Sequence, residues 1–263
     1  MHFKYTVVLN GMLSLLAFCI FSGCALNGAE GNAKIGKAIL SDISYDKNKK
    51  NPDAYTVYIQ EDDLYKPYLV ISGNYSGRCL VLRKDLLDEK LVFNNEKSQG
   101  SYGSYYLDSE IDTYINTIYF ARLSAAMRNS ISETSIKIST RENVRSGSGV
   151  GKTENIKRKI FLLSATEINV KSIMASNEGA PLSYFRNTDN LIAFRSDGEA
   201  GDYWLRSAYH WDDIQSWAVT YTGICTGFAV SEELHARPAF CLPSDSAIRD
   251  ESINGKSVYV IEP

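Results

Sequence analysis

Tyr203-Trp204-Leu205-Arg206-Ser207, Trp217-Ala218-Val219-Thr220-Tyr221, Gly227-Phe228-Ala229-Val230 and the run 236–242 follow one another closely, separated by turn-rich stretches. Branched and aromatic residues at this spacing predict short strands joined by tight loops. Toward the other end the same signal recurs in Tyr55-Thr56-Val57-Tyr58-Ile59, Tyr68-Leu69-Val70-Ile71 and Cys79-Leu80-Val81-Leu82. The last two flank Gly73-Asn74-Tyr75-Ser76-Gly77, as in a β-hairpin. Between the two groups, Ser109-x-x-Asp112 has capping-box spacing, and Ile111, Tyr114, Ile115 and Ile118 recur at helical intervals. Asp108, Glu110 and Asp112 suit the positive end of that helix. A second helix is expected from about Ser164, after Ile160-Phe161-Leu162-Leu163, while residues 171–201 read as loop. Strands at both ends with helices between them predict an α+β fold with a largely antiparallel sheet.

The 263 residues carry 28 Lys+Arg against 31 Asp+Glu, a formal net charge of -3. That balance argues against a nucleic-acid partner, which selects for a basic face. With 44% apolar residues, 17 Tyr and 10 Phe, the chain has ample material for a core. Residues 1–4 hold one Lys, and residues 5–21 form an apolar run with polar breaks, ending in Ser22-Gly23-Cys24. Such a run reads as a secretory signal and not as a spanning helix. Small residues before a Cys resemble a bacterial lipobox, in which Cys24 is acylated and becomes the new N-terminus; the alternative is an ordinary signal peptide cut near Ala29. The expected organisation is a signal over 1–23, lipidated Cys24 and a spacer over 24–54, a domain over 55–243 and a tail over 244–263 with a possible strand at 257–261. The expected location is outside the cytoplasm, lipid-anchored to a bacterial membrane or cell surface, with the membrane as partner through that anchor.

Three further cysteines remain, Cys79, Cys225 and Cys241. Cys79 reads as a small buried hydrophobe. Cys225 and Cys241 stand at the ends of expected neighbouring strands, where either a bridge or two reduced thiols fits the pattern. Beyond the signal only His210 and His235 occur, with no Cys pair at ligand spacing, so no metal or cofactor is implied. Ser146-Gly147-Ser148-Gly149-Val150-Gly151-Lys152-Thr153 imitates a phosphate loop but has Ser where the first Gly is needed, and reads as a flexible loop. The adjacent pairs Asp62-Asp63, Asp212-Asp213 and Glu232-Glu233 are not glycosidase dyads, because neighbours on a strand point to opposite faces. No catalytic residue is assigned. Trp204, Trp217 and Arg237 are expected in the core or at its rim. The best ligand-binding segment joins two strands and combines aromatic faces with charge: Arg206, Tyr209, His210, Trp211, Asp212 and Asp213.

The motifs occur in a recognisable order. The hairpin ending Leu80-Val81-Leu82, the helix from Ser109, Phe161-Leu162-Leu163-Ser164 with Glu167, Tyr203-Trp204-Leu205-Arg206-Ser207 and Ala236-Arg237-Pro238-Ala239-Phe240 together resemble the bacterial domain of unknown function 6273, over roughly residues 55–243. The closing strands resemble the C-type-lectin and formylglycine-generating-enzyme-like fold. The resemblance implies two main helices on a twisted antiparallel sheet, long loops on one side, and a setting in secreted and surface proteins. Ala208-Tyr209 replaces the Pro-Gly usual after the Arg-Ser strand, and the tail is an addition. The expected function is non-catalytic binding of a glycan or protein ligand. The alternatives are an enzyme acting on envelope or host polysaccharide and a purely structural envelope component.

Lipidation is directly testable. Cys24→Ala is expected to strip the acyl mass from the mature N-terminus and release the protein from the membrane fraction, read by intact mass spectrometry and fractionation. Membrane retention with unaltered N-terminal mass would overturn the assignment.

Overall fold

The computed structural model describes residues 38–95, 103–146, 151–209 and 213–261. The first three strands, β1 (Thr56–Glu61), β2 (Leu64–Tyr75) and β3 (Arg78–Arg83), form an antiparallel meander. Both of its turns place two consecutive residues at positive φ: Asp62 at 47° and Asp63 at 61°, then Ser76 at 53° and Gly77 at 81°. That pattern gives a two-residue hairpin loop the twist of its flanking strands. The Asp62-Asp63 pair is therefore turn chemistry. The expected loop over 73–77 is tighter than its sequence suggests, because residues 73–75 stay in β2 with register shifts against β3 between Val70 and Ser72 and between Ser72 and Tyr75. Gly73 permits this: a Cβ there would sit 2.8 Å from Ser44 Oγ.

The meander is the middle of a seven-stranded sheet that also contains β7 (Ile160–Phe161), β12 (Ala239–Leu242), β13 (Ile248–Ile253) and β14 (Lys256–Ile261), in the order β13-β14-β1-β2-β3-β12-β7. Every pairing is antiparallel except β1 with β14, where Val57 faces Tyr259. The tail over 244–263 is thus no appendage; through residue 261 it supplies two strands of the main sheet. The expected spacer also proves shorter. Leu40, in a 3-10 turn over Leu40–Ile43, is fully buried, its N–H donates to Ser246 O at 2.8 Å, and Tyr45 N–H donates to Val70 O at 2.7 Å. Folded structure therefore begins by residue 38. Cys24 lies outside the described residues.

Among the described residues three smaller sheets stand beside the main one. The C-terminal β-rich segment forms β8 (Tyr203–Ala208), β9 (Gln215–Val219) and β10 (Cys225–Ala229) as an antiparallel sheet. Two short strands, β4 (Leu91–Val92) and β11 (Glu233–Leu234), pair with each other. A hairpin of β5 (Thr134–Ser139) and β6 (Thr153–Arg158) was not anticipated; in β5 the buried Ile136 and Ile138 alternate with exposed Ser135 and Lys137. Helix is scarce. The capping expected at Ser109 is present, its Oγ accepting the Asp112 N–H at 3.2 Å, and the run continues as α1 (Glu110–Tyr114), a π turn (Ile115–Tyr119) and α2 (Phe120–Arg122). Six residues each form α3 (Ala125–Ser130) and α4 (Arg141–Ser146).

The second helix expected from Ser164 is a turn. Ser164 Oγ accepts the Glu167 N–H at 3.1 Å and Glu167 Oε2 accepts the Ser164 N–H at 3.0 Å, the reciprocal bonds of a capping box. Asn169 at φ 70° then breaks the helical path. The fold is accordingly mixed α/β, mostly open sheets with short helices, and the two-main-helix expectation is corrected. The cysteine alternatives are also resolved: Cys79, Cys225 and Cys241 are all free, and β10, which carries Cys225, belongs to a different sheet from β12, which carries Cys241.

Because β14 is integral, Ile261→Ala, at a site only 4% exposed, is expected to cost about 2–5 kcal/mol in urea denaturation. A change within error would mean that the last strand merely leans on the sheet.

Candidate functional site

The site is built around Arg206 on β8, whose side chain is completely buried. A guanidinium has five N–H donors in a fixed fork, and here all five positions are engaged. Nε donates to Lys137 O at 3.0 Å, Nη1 to Leu162 O at 2.8 Å and to Glu167 Oε2 at 2.7 Å, and Nη2 to Glu167 Oε1 and Glu178 O, each at 2.8 Å. Glu167 is equally saturated. Besides the bidentate Arg206 pair it accepts the Tyr75 hydroxyl at 2.5 Å and the Ser164 N–H at 3.0 Å. Next to it Ser207 Oγ accepts the Ala165 N–H at 2.8 Å and hydrogen-bonds Glu178 Oε2.

Above this network opens a cleft of about 580 Å³, with Ser72, Asn74, Lys137, Asn155 and Ser183 on its walls and Tyr75, Glu167 and Glu178 toward the floor. The register shift in β2 delivers Tyr75 to it, as a bulge re-aims a side chain. Gly179, at φ 140°, keeps the floor open, since a Cβ there would meet Glu167 Oε1 at 3.0 Å. Burial pushes the Glu178 carboxyl above its ordinary range, opposed by the Arg206 charge and by hydrogen bonds from Ser207 and Ser139. Its Oε1 accepts the Ser139 N–H at 2.7 Å and Oγ–H at 2.8 Å. Burial raises the Tyr75 phenol, with the Glu167 charge adding to the effect. Lys137 and Asn155, cross-strand partners on β5 and β6, are exposed at the rim.

Of the six residues singled out from the sequence as ligand contacts, Arg206, Tyr209 and Asp213 are among the described residues. Arg206 is a buried strut beneath the cleft and presents nothing to solvent, which corrects its assignment as a ligand contact. Tyr209 is half-buried, its ring centroid 4.9 Å from that of Trp217, packed so closely over Gly227 that a Cβ there would lie 2.7 Å from Tyr209 Cγ. Asp213 is exposed and its backbone oxygen accepts the Ser104 N–H at 2.7 Å. His210, Trp211 and Asp212 lie outside the described residues, as do residues 147–150 of the phosphate-loop imitation. Trp204, Trp217 and Arg237 are buried, Trp204 Nε1 donating to Leu91 O at 2.8 Å and Arg237 Nε to Arg83 O at 3.1 Å. No group of three or more metal-ligating side chains occurs among the described residues. Sequence reasoning missed Glu178, Tyr75, Lys137 and Asn155 as cleft residues; for Glu167 the Ser164-x-x-Glu167 spacing was the available signal.

Removing one partner of a buried pair leaves the other charged and desolvated. Glu167→Gln is therefore expected to cost about 3–5 kcal/mol. Glu178→Gln removes a carboxyl whose pKa is raised on folding, a contribution favourable below the unfolded value and lost as pH rises through the folded one. Relative to the parent, Glu178→Gln should thus gain stability as pH rises above the ordinary carboxylate range, measured by urea denaturation across pH. Equal costs for the two substitutions at every pH would refute the division of roles.

The family model described as domain of unknown function (DUF6273) matches residues 76–244, more than half of the chain, and takes in Glu167, Glu178 and Arg206 together with β3 to β12. No curated protein and no solved structure matches. The three motif segments that meet at the buried guanidinium, Phe161-Leu162-Leu163-Ser164, Glu167 and Trp204-Leu205-Arg206-Ser207, all fall inside that match, and the chain belongs to the DUF6273 family.

Proposed function

We propose that this chain is a surface-tethered lipoprotein whose lectin-like, non-catalytic domain captures a glycan or protein ligand in the cleft above Arg206. The observation that carries this reading is the contrast between floor and rim. The floor's carboxylates are engaged in internal hydrogen bonds, Glu167 with four donors and Glu178 with three, so their capacity is committed to holding shape. The rim offers an amine, an amide and hydroxyls from Lys137, Asn155, Ser72 and Ser183. Donors and acceptors on a pre-formed polar wall suit a hydroxyl-rich chain or an extended peptide. Acylation at Cys24 would hold the domain at the membrane, facing outward.

A second reading, hydrolysis of an envelope or host polysaccharide, draws on the same cleft because two glutamates line it. Such chemistry asks one carboxyl to give a proton and the other to attack or activate water. Glu167, with Arg206, Tyr75 and Ser164 around it, is committed elsewhere, which favours capture over hydrolysis.

A glycan array followed by titration of the best hit tests the reading. Lys137→Ala and Asn155→Ala are each expected to weaken capture by about 1–3 kcal/mol while leaving the melting temperature in place, since both side chains are exposed. Capture indifferent to both changes would move the site away from the cleft, and conversion of the glycan to shorter products would favour the hydrolytic reading.

A further inference from the structure

A second hollow, of about 250 Å³, shares no residue with the cleft over Arg206 and is lined among others by Lys90, Arg195, Glu199, Asp202, Tyr221 and His235. Its chemistry differs in having unengaged side-chain groups. His235 is 3% exposed and its Nδ1 lies 2.8 Å from Leu87 O. A carbonyl only accepts, so Nδ1 carries a proton, and in that tautomer Nε2 offers an acceptor lone pair. That atom has no hydrogen-bond partner among the described residues. It lies on the Gly201 side, where a Cβ would approach His235 Cδ2 to 2.9 Å and Nε2 to 3.3 Å, so the glycine is what leaves room for the ring. Arg195 pairs through Nη2 with Asp197 at 2.6 Å, yet its Nε is buried without a partner. Neither the Lys90 ammonium nor the Glu199 carboxylate is paired among the described residues.

Asp202 organises the hollow. Its Oδ1 accepts the Tyr221 N–H at 2.6 Å and its backbone oxygen accepts the His235 N–H at 3.0 Å. The turn bearing Tyr221 is closed by Thr220 N–H to Ile224 O and Gly223 N–H to Thr220 O, both 2.8 Å. Tyr221 is nevertheless 60% exposed. An aromatic ring held on a rigid turn, facing water beside unengaged donors and acceptors, costs little ordering on binding.

From this we infer a binding site for a single neutral pyranose ring. With Asp197 paired to Arg195, the two cations Lys90 and Arg195 stand against three carboxylates, Asp197, Glu199 and Asp202, which disfavours an anion. Each hydroxyl of a vicinal diol gives one hydrogen bond and takes another, matching acceptors at Glu199 and His235 Nε2 with the ammonium donor at Lys90. The apolar C–H face of the sugar lies against Tyr221. The volume falls just below the ~300–1,000 Å³ of typical small-molecule sites, room for one ring and not for a chain. This site does not rest on the cleft reading.

Saturation-transfer NMR with the full chain in detergent micelles and three probes, the methyl β-glycosides of glucose, galactose and mannose, tests it. Transfer to the ring C–H protons of at least one probe is expected. The affinity should fall at least tenfold in Tyr221→Ala and in Lys90→Ala, and persist in Tyr221→Phe and in the cleft variant Asn155→Ala. No transfer to any probe, or transfer indifferent to Tyr221→Ala, would overturn the site. Transfer lost in Asn155→Ala but kept in Tyr221→Ala would overturn it too, while assigning the sugar to the cleft.

Discussion

Burying a guanidinium away from water costs several kcal/mol unless its charge is matched and every N–H finds an acceptor. Arg206 meets both conditions, and meeting them recruits segments far apart in the chain: the β5 backbone at Lys137, the end of β7 at Leu162, and the irregular stretch that carries Glu167 and Glu178. The stretch after β7 has little regular structure of its own, so its backbone needs such partners to be held. The ion pair thus fastens the three-stranded sheet to the β5–β6 hairpin and to the wall of the cleft. Its demand for shape, more than its net stabilisation, explains a fixed opening above it.

A second buried pair plays a similar part near the first meander. Arg83 Nε and Nη2 donate to Glu61 at 2.9 and 3.1 Å, Nη1 donates to Leu86 O at 2.6 Å, and the Tyr68 hydroxyl completes Glu61 at 2.7 Å. Arg237 then donates to the Arg83 carbonyl. Each arginine of the motif segments is therefore internal, and the surface chemistry is left to residues outside those motifs, such as Lys137, Asn155, Lys90 and Tyr221. Under the proposed reading, scaffold and recognition would be carried by different side chains, which would let one scaffold display different rims.

The two hollows divide along the same line. Over Arg206 the floor is saturated and the rim is polar; beside His235 the floor itself holds unengaged groups and the rim is aromatic. On the proposed readings, the first would take an extended ligand laid across a wall and the second a compact ring inserted against one aromatic face.

Local pattern determined much of this protein. The alternation in β1, the β2–β3 hairpin, the four C-terminal strands, the Ser109 cap and the burial of Trp204 and Trp217 all follow from residue type and spacing, because strand pleat and helix capping are short-range. The residue pattern points to a helix from Ser164, yet the tertiary structure makes it a turn, since Glu167 is bonded back to Arg206 and Tyr75 and Asn169 turns the chain away. The parallel pairing of β14 with β1, the free state of Cys225 and Cys241, and the conversion of Arg206 from apparent loop contact to buried strut depend on partners 28 or more residues distant for the arginine and on opposite ends of the chain for the strands. No window of sequence contains those partners, so long-range pairing and desolvation decided what local periodicity could not.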